Sequence, residues 1–186
     1  RQHSIDTVVV PVSGRPVDFV TRELLAPLDS ADIDLIALAG YVQLIPPAIV
    51  RQYRNRMINV HPALLPAFGG KGMYGMRVHE SVIQSGATVS GATVHFVDER
   101  YDQGRIIAQW PVPVFAEDSA EQLAARVLQV EHLLYPAVIE ALAHARTSGI
   151  APGRFWHGDA GAFEFERSAI PLAHHIRSAL GLDHNA

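Results

Sequence analysis

The chain has 186 residues, of which 48% are hydrophobic and 18% are charged, a composition that fits one globular domain with a sizeable core. It contains no cysteine, which excludes disulfide frameworks, thiolate nucleophiles and thiolate metal sites. The net charge of -4 gives no electrostatic footprint for nucleic acid, and no apolar run approaches the roughly 20 residues of a membrane span. We therefore expect a soluble, cytoplasmic protein that binds neither nucleic acid nor membranes.

Strand and helix patterns alternate along the first third of the chain. Short, continuous apolar runs are typical of strands buried on both faces, and between them apolar residues recur at helical spacing. The predicted order is strand 7–12, helix 17–28, strand 33–39, helix 47–53 and strand 57–60. This alternation predicts an α/β fold, with a mostly parallel sheet and helices on both faces.

A glycine-rich loop, residues 69–75, separates these elements from the rest of the chain. The elements predicted beyond it are helix 78–84, strand 88–97, strand 105–114 and a long helix. Ser119 and Gln122 have the spacing of a capping box at the start of the long helix, whose apolar stripe we expect to face the core. We assign residues 1–148 to one catalytic domain and residues 149–186 to an appended segment.

The polar residues Asn59 and His61 lie at the end of a predicted strand, where open α/β sheets place ligands. Residues two apart on a strand face the same side, so an amide donor and a titratable imidazole can share one crevice, as acyl transfer requires. The alternative is an Asn that caps a turn and a His that bonds to backbone.

Asp102 is either a turn former or a carboxylate that raises the pKa of His61. His95 either lines the same crevice or is buried.

Metal and covalent chemistry find little support in the sequence. The nearest histidine cluster, His174 and His175 with His184, lacks a helical His-x-x-x-His pair with a carboxylate, so we predict no metal site. No Gly-x-Ser-x-Gly motif for a nucleophilic serine occurs either. These absences favour a mechanism without a covalent enzyme intermediate.

The motifs NVHPALLP at residues 59–66, GATVHFV at 91–97 and DQGRII at 102–107 resemble the folate-dependent formyltransferases in order and spacing. The resemblance covers roughly residues 1–146 and implies the Rossmann-like formyltransferase fold. It starts about two strands into the expected sheet, so the strand and phosphate-binding turn that open such proteins are missing, which predicts an N-terminally truncated domain. The appended segment has no counterpart in the family.

The same resemblance implies roles for individual residues. The catalytic trio carries over onto Asn59, His61 and Asp102. The loop at 68–75 and Glu131 resemble the branch that acts on glycinamide ribonucleotide, and His95 matches a further substrate-side position. The residues implied on the folate side are Arg15, Val42, Gln43, Leu44, Ile45, Asn59, Asp98 and Tyr101.

The function implied is transfer of the formyl group of 10-formyltetrahydrofolate, a co-substrate, to the amine of glycinamide ribonucleotide in purine biosynthesis, by a monomer or homodimer without a metal. Two alternatives stay open. A formyltetrahydrofolate deformylase would use the same trio with water as acceptor, although the glycine-rich loop with Lys71 and Tyr74 speaks against it. A non-catalytic folate-binding module would keep the fold without the reaction. A transfer RNA formyltransferase is disfavoured because the appended segment is not markedly basic.

Overall fold

The protein folds around a four-stranded sheet in the order β1-β2-β3-β4. The computed structural model describes residues 5–148, 158–159, 162–163, 175–176 and 178–180. The strands of the sheet are β1 (Ile36–Leu38), β2 (Met57–His61), β3 (Val89–Phe96) and β4 (Ile106–Pro113). The helices are α1 (Val17–Ser30), α2 (Pro47–Gln52), α3 (Met76–Ser85) and α4 (Ala120–Ser148). A separate antiparallel pair joins β5 (Gly158–Asp159) to β6 (Ala162–Phe163).

The α/β class is confirmed, but among the described residues the sheet is mixed, not mostly parallel. β1 and β2 run parallel, whereas β2 with β3 and β3 with β4 are antiparallel. The turn at residues 97–105 is the reason for the last pairing. A turn this short joins antiparallel neighbours, since a parallel pair needs a longer crossover connection.

The strand predicted at residues 7–12 is wrong. Residues 5–12 have no regular secondary structure, and Val8 and Val9 are 67% and 89% exposed. A run of β-branched residues becomes a strand only where a neighbouring strand supplies ladder hydrogen bonds. Among the described residues, β1 pairs only with β2, so this segment has no such neighbour.

Two apolar clusters cover the two faces of the sheet. Met57 belongs to the cluster that packs under α1 and α2, and its neighbour Ile58 belongs to the larger cluster that packs under α4. Successive residues on a strand point to opposite faces, so the two clusters lie on opposite sides of β2. Helices therefore cover both faces, as predicted.

The start of α4 is fixed by the predicted capping box. The Ser119 backbone N–H donates to Gln122 Oε1 at 2.8 Å, and the Gln122 backbone N–H donates to Ser119 Oγ at 3.3 Å. The apolar stripe of the helix is buried, as expected, and consists of Leu123, Val127, Val130, Leu134, Val138 and Leu142. Local capping and core packing therefore agree on where this helix begins and which side faces inward.

The appended segment contributes to the same core. Ile176 is fully buried in the cluster under α4, and Leu180, whose N–H donates to the Ile176 carbonyl at 3.0 Å, packs against it. His174 and His184 lie outside the described residues. Within the part of the chain that is described, no helix combines the length and apolarity needed to cross a membrane.

Candidate active site

A cleft of about 710 Å³ opens beside the carboxyl ends of the parallel strands β1 and β2. Its walls are the segment after β1, the glycine-rich loop with the first turn of α3, the turn after β3 and one side of α4. Asn59, His61, His95 and Asp102 all line it. The polar residues singled out in the sequence are therefore neighbours in space.

Asn59 and His95 face each other across β2 and β3. They are register partners, and the Asn59 side-chain nitrogen Nδ2 lies 3.3 Å from His95 Nε2. His95 Nδ1 is 2.9 Å from the Phe96 carbonyl, an acceptor, so Nδ1 carries the proton of the neutral ring. His95 Nε2 is then the acceptor for the Asn59 amide, which fixes the amide nitrogen toward His95 and leaves its second N–H for the cleft.

His61 ends β2 and is almost fully buried. Its Nε2 donates to the Phe68 carbonyl at 2.9 Å, and its Nδ1 lies 3.7 Å from Asp102 Oδ2. Burial lowers the pKa of His61, and it outweighs the opposing effects of the Asp102 charge and the Phe68 carbonyl. Asp102 does act to raise the pKa of His61, as predicted. The net pKa is nevertheless lowered, because burial disfavours the charged imidazolium more strongly. His61 therefore rests as a neutral imidazole at pH 7.

Asp102 lies between the two imidazoles. Its Oδ1 is 3.7 Å from His95 Nε2, and its Oδ2 accepts a hydrogen bond of 2.8 Å from the Gly70 backbone N–H. Its φ of 54° is in the left-handed region, which Asp and Asn tolerate better than most residues. The two interpretations of Asp102 thus coincide, since it shapes the turn and also presents its carboxylate to His61.

A buried network that the sequence analysis missed supports the loop after His61. Thr93 Oγ1 donates to the Ala63 carbonyl at 2.6 Å and accepts from the Leu65 N–H at 3.0 Å. Gln109 Nε2 donates to the Leu65 carbonyl at 2.9 Å and to Thr93 Oγ1 at 3.0 Å. Thr93 lies opposite His61 in the β2–β3 register. Its position two residues before His95, on the same side of the strand, is the sequence feature that could have indicated this role. The network holds the chain that carries His61.

Most of the remaining predicted residues also line the cleft. Glu131 of α4 lines it, and so do the residues predicted on the folate side, which are Val42, Gln43, Leu44, Ile45, Asp98 and Tyr101. Burial raises the pKa of Glu131 to about 7. Arg15 is not brought to the cleft, because its guanidinium forms two hydrogen bonds with Glu23, at 2.6 and 2.8 Å.

The site contains no clustered metal ligands among the described residues, where no group of three or more His, Cys, Asp or Glu side chains is arranged to hold a metal ion. It also includes His79, on the first turns of α3, which the sequence analysis did not single out. The polar side chains of the cleft therefore comprise amides, three imidazoles, carboxylates, tyrosines and the cations Lys71, Arg77 and Arg100. The imidazoles and carboxylates are suited to hydrogen bonding and proton transfer.

Comparison with known proteins gives one consistent family. The family model for formyl transferase matches residues 2–139. A chloroplastic phosphoribosylglycinamide formyltransferase from Vigna unguiculata is 50% identical over 147 residues, which are 78% of this chain and 47% of that protein. The chain thus spans about half the length of this curated relative.

Solved structures agree with the sequence relatives. A phosphoribosylglycinamide formyltransferase from Brucella melitensis superposes with a TM-score of 0.62 at 41% identity, over 69% of this chain and 63% of that one. A formyltetrahydrofolate deformylase from Pseudomonas syringae gives 0.60 at 31% identity, over 67% and 40% of the two chains. Because the family model matches residues 2–139, most of the chain, the chain belongs to the formyl transferase family.

Proposed function

We propose that this chain carries the catalytic centre of a phosphoribosylglycinamide formyltransferase, which moves a formyl group from 10-formyltetrahydrofolate to the amine of glycinamide ribonucleotide. The observation that carries the proposal is the buried juxtaposition of Asn59, His61 and Asp102 at the cleft. The names of the relatives support the substrates, and the glycine-rich loop with Lys71 and Tyr74 supports this branch of the family.

The reaction needs an oxyanion donor and a proton carrier. The acceptor amine attacks the formyl carbon, the carbonyl π electrons move onto oxygen, and the tetrahedral intermediate then breaks its bond to N10 of the folate. Asn59 suits the first task because one amide N–H pairs with His95 and the other has no acceptor among the described residues. A fixed donor of this kind stabilises negative charge as it develops.

His61 suits the second task. In its resting neutral form the Nε2 proton is held by the Phe68 carbonyl, and Nδ1 keeps a free lone pair on the side of Asp102. This lone pair can accept the proton that the amine loses, and the same proton then returns to N10 of tetrahydrofolate. The imidazolium that forms in between faces an acceptor at each nitrogen, the Phe68 carbonyl and the Asp102 carboxylate, so both of its protons have partners.

In this proposal the two substrates bind at opposite ends of the cleft. We assign the folate to the end formed by Val42, Gln43, Leu44 and Ile45 with Asp98 and Tyr101. We assign the ribonucleotide to the end formed by α3 and α4, where Glu131 and the loop with Lys71 lie. The formyl carbon then lies between them, beside Asn59 and His61.

A deformylase is the second candidate, favoured by the likeness to the Pseudomonas syringae structure. Water would take the place of the amine, and the roles of Asn59, His61 and Asp102 would be unchanged. The two candidates therefore differ in one observable property, the dependence of turnover on the amine.

The test is a formyl-transfer assay of the full-length protein that follows release of tetrahydrofolate with and without glycinamide ribonucleotide. We expect turnover that depends on the amine and falls by about 10²–10⁴ in His61→Ala. His144→Ala, which removes an exposed imidazole of α4, is the matched control and should keep wild-type turnover.

Each contrary result has its own meaning. Turnover indifferent to the amine identifies a deformylase, and folate binding without turnover identifies a binding module. If His61→Ala loses its thermal transition together with its activity, the imidazole is structural. Calorimetry of both variants separates these cases.

A further inference from the structure

His79 is a buried histidine of α3 whose Nδ1 has no hydrogen-bond partner among the described residues. The side chain is 5% exposed and lies between Val78 and Val82 on the inner side of the helix, where the other buried residues are apolar. A buried polar atom without a partner is destabilising, and natural structures contain few of them. The free nitrogen therefore calls for a partner that the described residues do not supply, and a bound molecule can be that partner.

The position of His79 indicates where that partner comes from. The residue lines the same cleft as His61, Asn59 and Asp102, on the wall where α3 packs against α4. Ala124, Leu128 and Glu131 of α4 line the same cleft. In the proposed function this end holds the ribonucleotide, away from the folate end near Val42 and Tyr101.

The neutral state of the His79 imidazole limits which chemical groups can bind to it. Burial lowers the pKa of His79, and the charge of a protonated His61 lowers it further, so the ring is neutral at pH 7. A neutral imidazole offers one N–H and one lone pair and carries no charge for a phosphate. It suits a hydroxyl, an amide or a primary amine of a bound molecule.

We propose that His79 is a binding residue for the amine-bearing acceptor, whose neutral polar group bonds to the imidazole ring at the α3–α4 end of the cleft. The inference rests on the proposed function and adds to it a contact that belongs to one substrate only. His79 then orients the acceptor beside Asn59 and His61 without taking part in the bond changes. Its removal affects affinity for the acceptor and not for the folate.

Two variants separate this role from a structural one. His79→Leu keeps the approximate volume and removes both nitrogens, whereas His79→Asn keeps a hydrogen-bonding atom near the position of Nδ1. We expect the dissociation constant for glycinamide ribonucleotide to rise about three- to tenfold in His79→Leu, the loss of one neutral hydrogen bond, and to stay within about twofold in His79→Asn. Affinity for tetrahydrofolate stays unchanged in both, and His144→Leu, at an exposed site, is the matched control.

The thermal midpoint of the ligand-free protein gives an independent readout. Because Nδ1 has no partner in the described part of the chain, His79→Leu removes a buried polar atom that makes no hydrogen bond there, and the midpoint should stay the same or rise. A lower midpoint with unchanged affinity for the ribonucleotide would overturn the inference, since the ring would then be structural. An equal loss of affinity for both ligands would overturn it as well. Failure of the unmodified protein to bind glycinamide ribonucleotide is a different result, which rejects the proposed function and with it this inference.

Discussion

Two aspartates, Asp118 and Asp102, are held in opposite ways. Asp118, whose side chain is 5% exposed, meets Arg126 in two hydrogen bonds of 2.6 and 2.7 Å and accepts a third, of 2.7 Å, from the Phe115 N–H. Asp102, which is 12% exposed, has one short bond, from Gly70, and stands 3.7 Å from an imidazole nitrogen on each side.

Under the proposed function, the difference separates a structural carboxylate, Asp118, from a reactive one, Asp102. Both oxygens of Asp118 accept hydrogen bonds from fixed donors, so its charge is compensated within the fold. The longer contacts of Asp102 leave its charge only partly compensated, and this charge becomes fully useful when His61 gains a proton. Substitutions at the two sites should therefore affect different properties, activity at one and stability at the other.

The largest effect is expected for Asp102→Asn. Asn tolerates the left-handed φ of 54°, so the turn should persist while the charge that supports the His61 imidazolium is lost. We expect turnover to fall by about 10²–10⁴ with little change in thermal midpoint. Steady-state kinetics and calorimetry on the same samples measure both quantities.

Asp32→Asn is the matched control for this prediction. Asp32 also has a left-handed φ, of 48°, and is exposed outside the cleft. Its variant should match the wild type in both measurements. A stable and fully active Asp102→Asn protein would contradict the assignment of Asp102 to activity and of Asp118 to stability.

Glu131→Gln tests a third carboxylate and should change the free energy of unfolding at high pH by up to ~3 kcal/mol. Burial raises its pKa from the ordinary 4.5 to about 7, so the folded state holds the proton more tightly than the unfolded state does. Its contribution to the free energy of unfolding is full below about pH 4.5 and is lost as the pH rises toward 7. The glutamine variant should lack this loss and be more stable than the wild type at pH 8.

Urea unfolding at pH 5 and pH 8 measures that difference, with Glu140→Gln, an exposed glutamate of the same helix, as control. The buried histidines titrate in both proteins, so their effect cancels in the comparison. Equal pH dependence of the Glu131→Gln and wild-type proteins would contradict the raised pKa. A weaker affinity for glycinamide ribonucleotide in Glu131→Gln would place this residue with the reactive group.

The smallest effect is expected for Asp118→Asn. The amide keeps the shape and one acceptor oxygen but loses the charge that Arg126 meets, so the free energy of unfolding should fall by ~1–2 kcal/mol. For a chain of this size each kcal/mol shifts the thermal midpoint by about 2–4 °C. Turnover at 25 °C should not change, and a loss of activity without a loss of stability would break the contrast with Asp102.

The sequence predicted best where the determinants are local. The capping box at Ser119 and the apolar stripe of α4 depend on residues a few positions apart, and both are confirmed. The prediction at residues 7–12 failed because a strand requires a distant partner. The lowered pKa of His61 was missed for a related reason, since burial depends on the whole surrounding core.

Within the candidate site, the residue types were easier to predict than their connections. Asn59 and His61 are two apart on one strand, so their common side follows from the backbone. The support from Thr93 and Gln109 and the free nitrogen of His79 depend on side chains far apart in sequence. Those contacts follow from tertiary structure, which composition and spacing do not encode directly.

The burial of Ile176 has a practical consequence for dividing this protein into fragments. The family match ends at residue 139, yet Leu142 and Ile176 both belong to the main core. A protein cut at the family boundary would leave part of its own interior behind and expose an apolar face to solvent. A fragment chosen for expression should therefore extend beyond the family match and include Leu142 and Ile176.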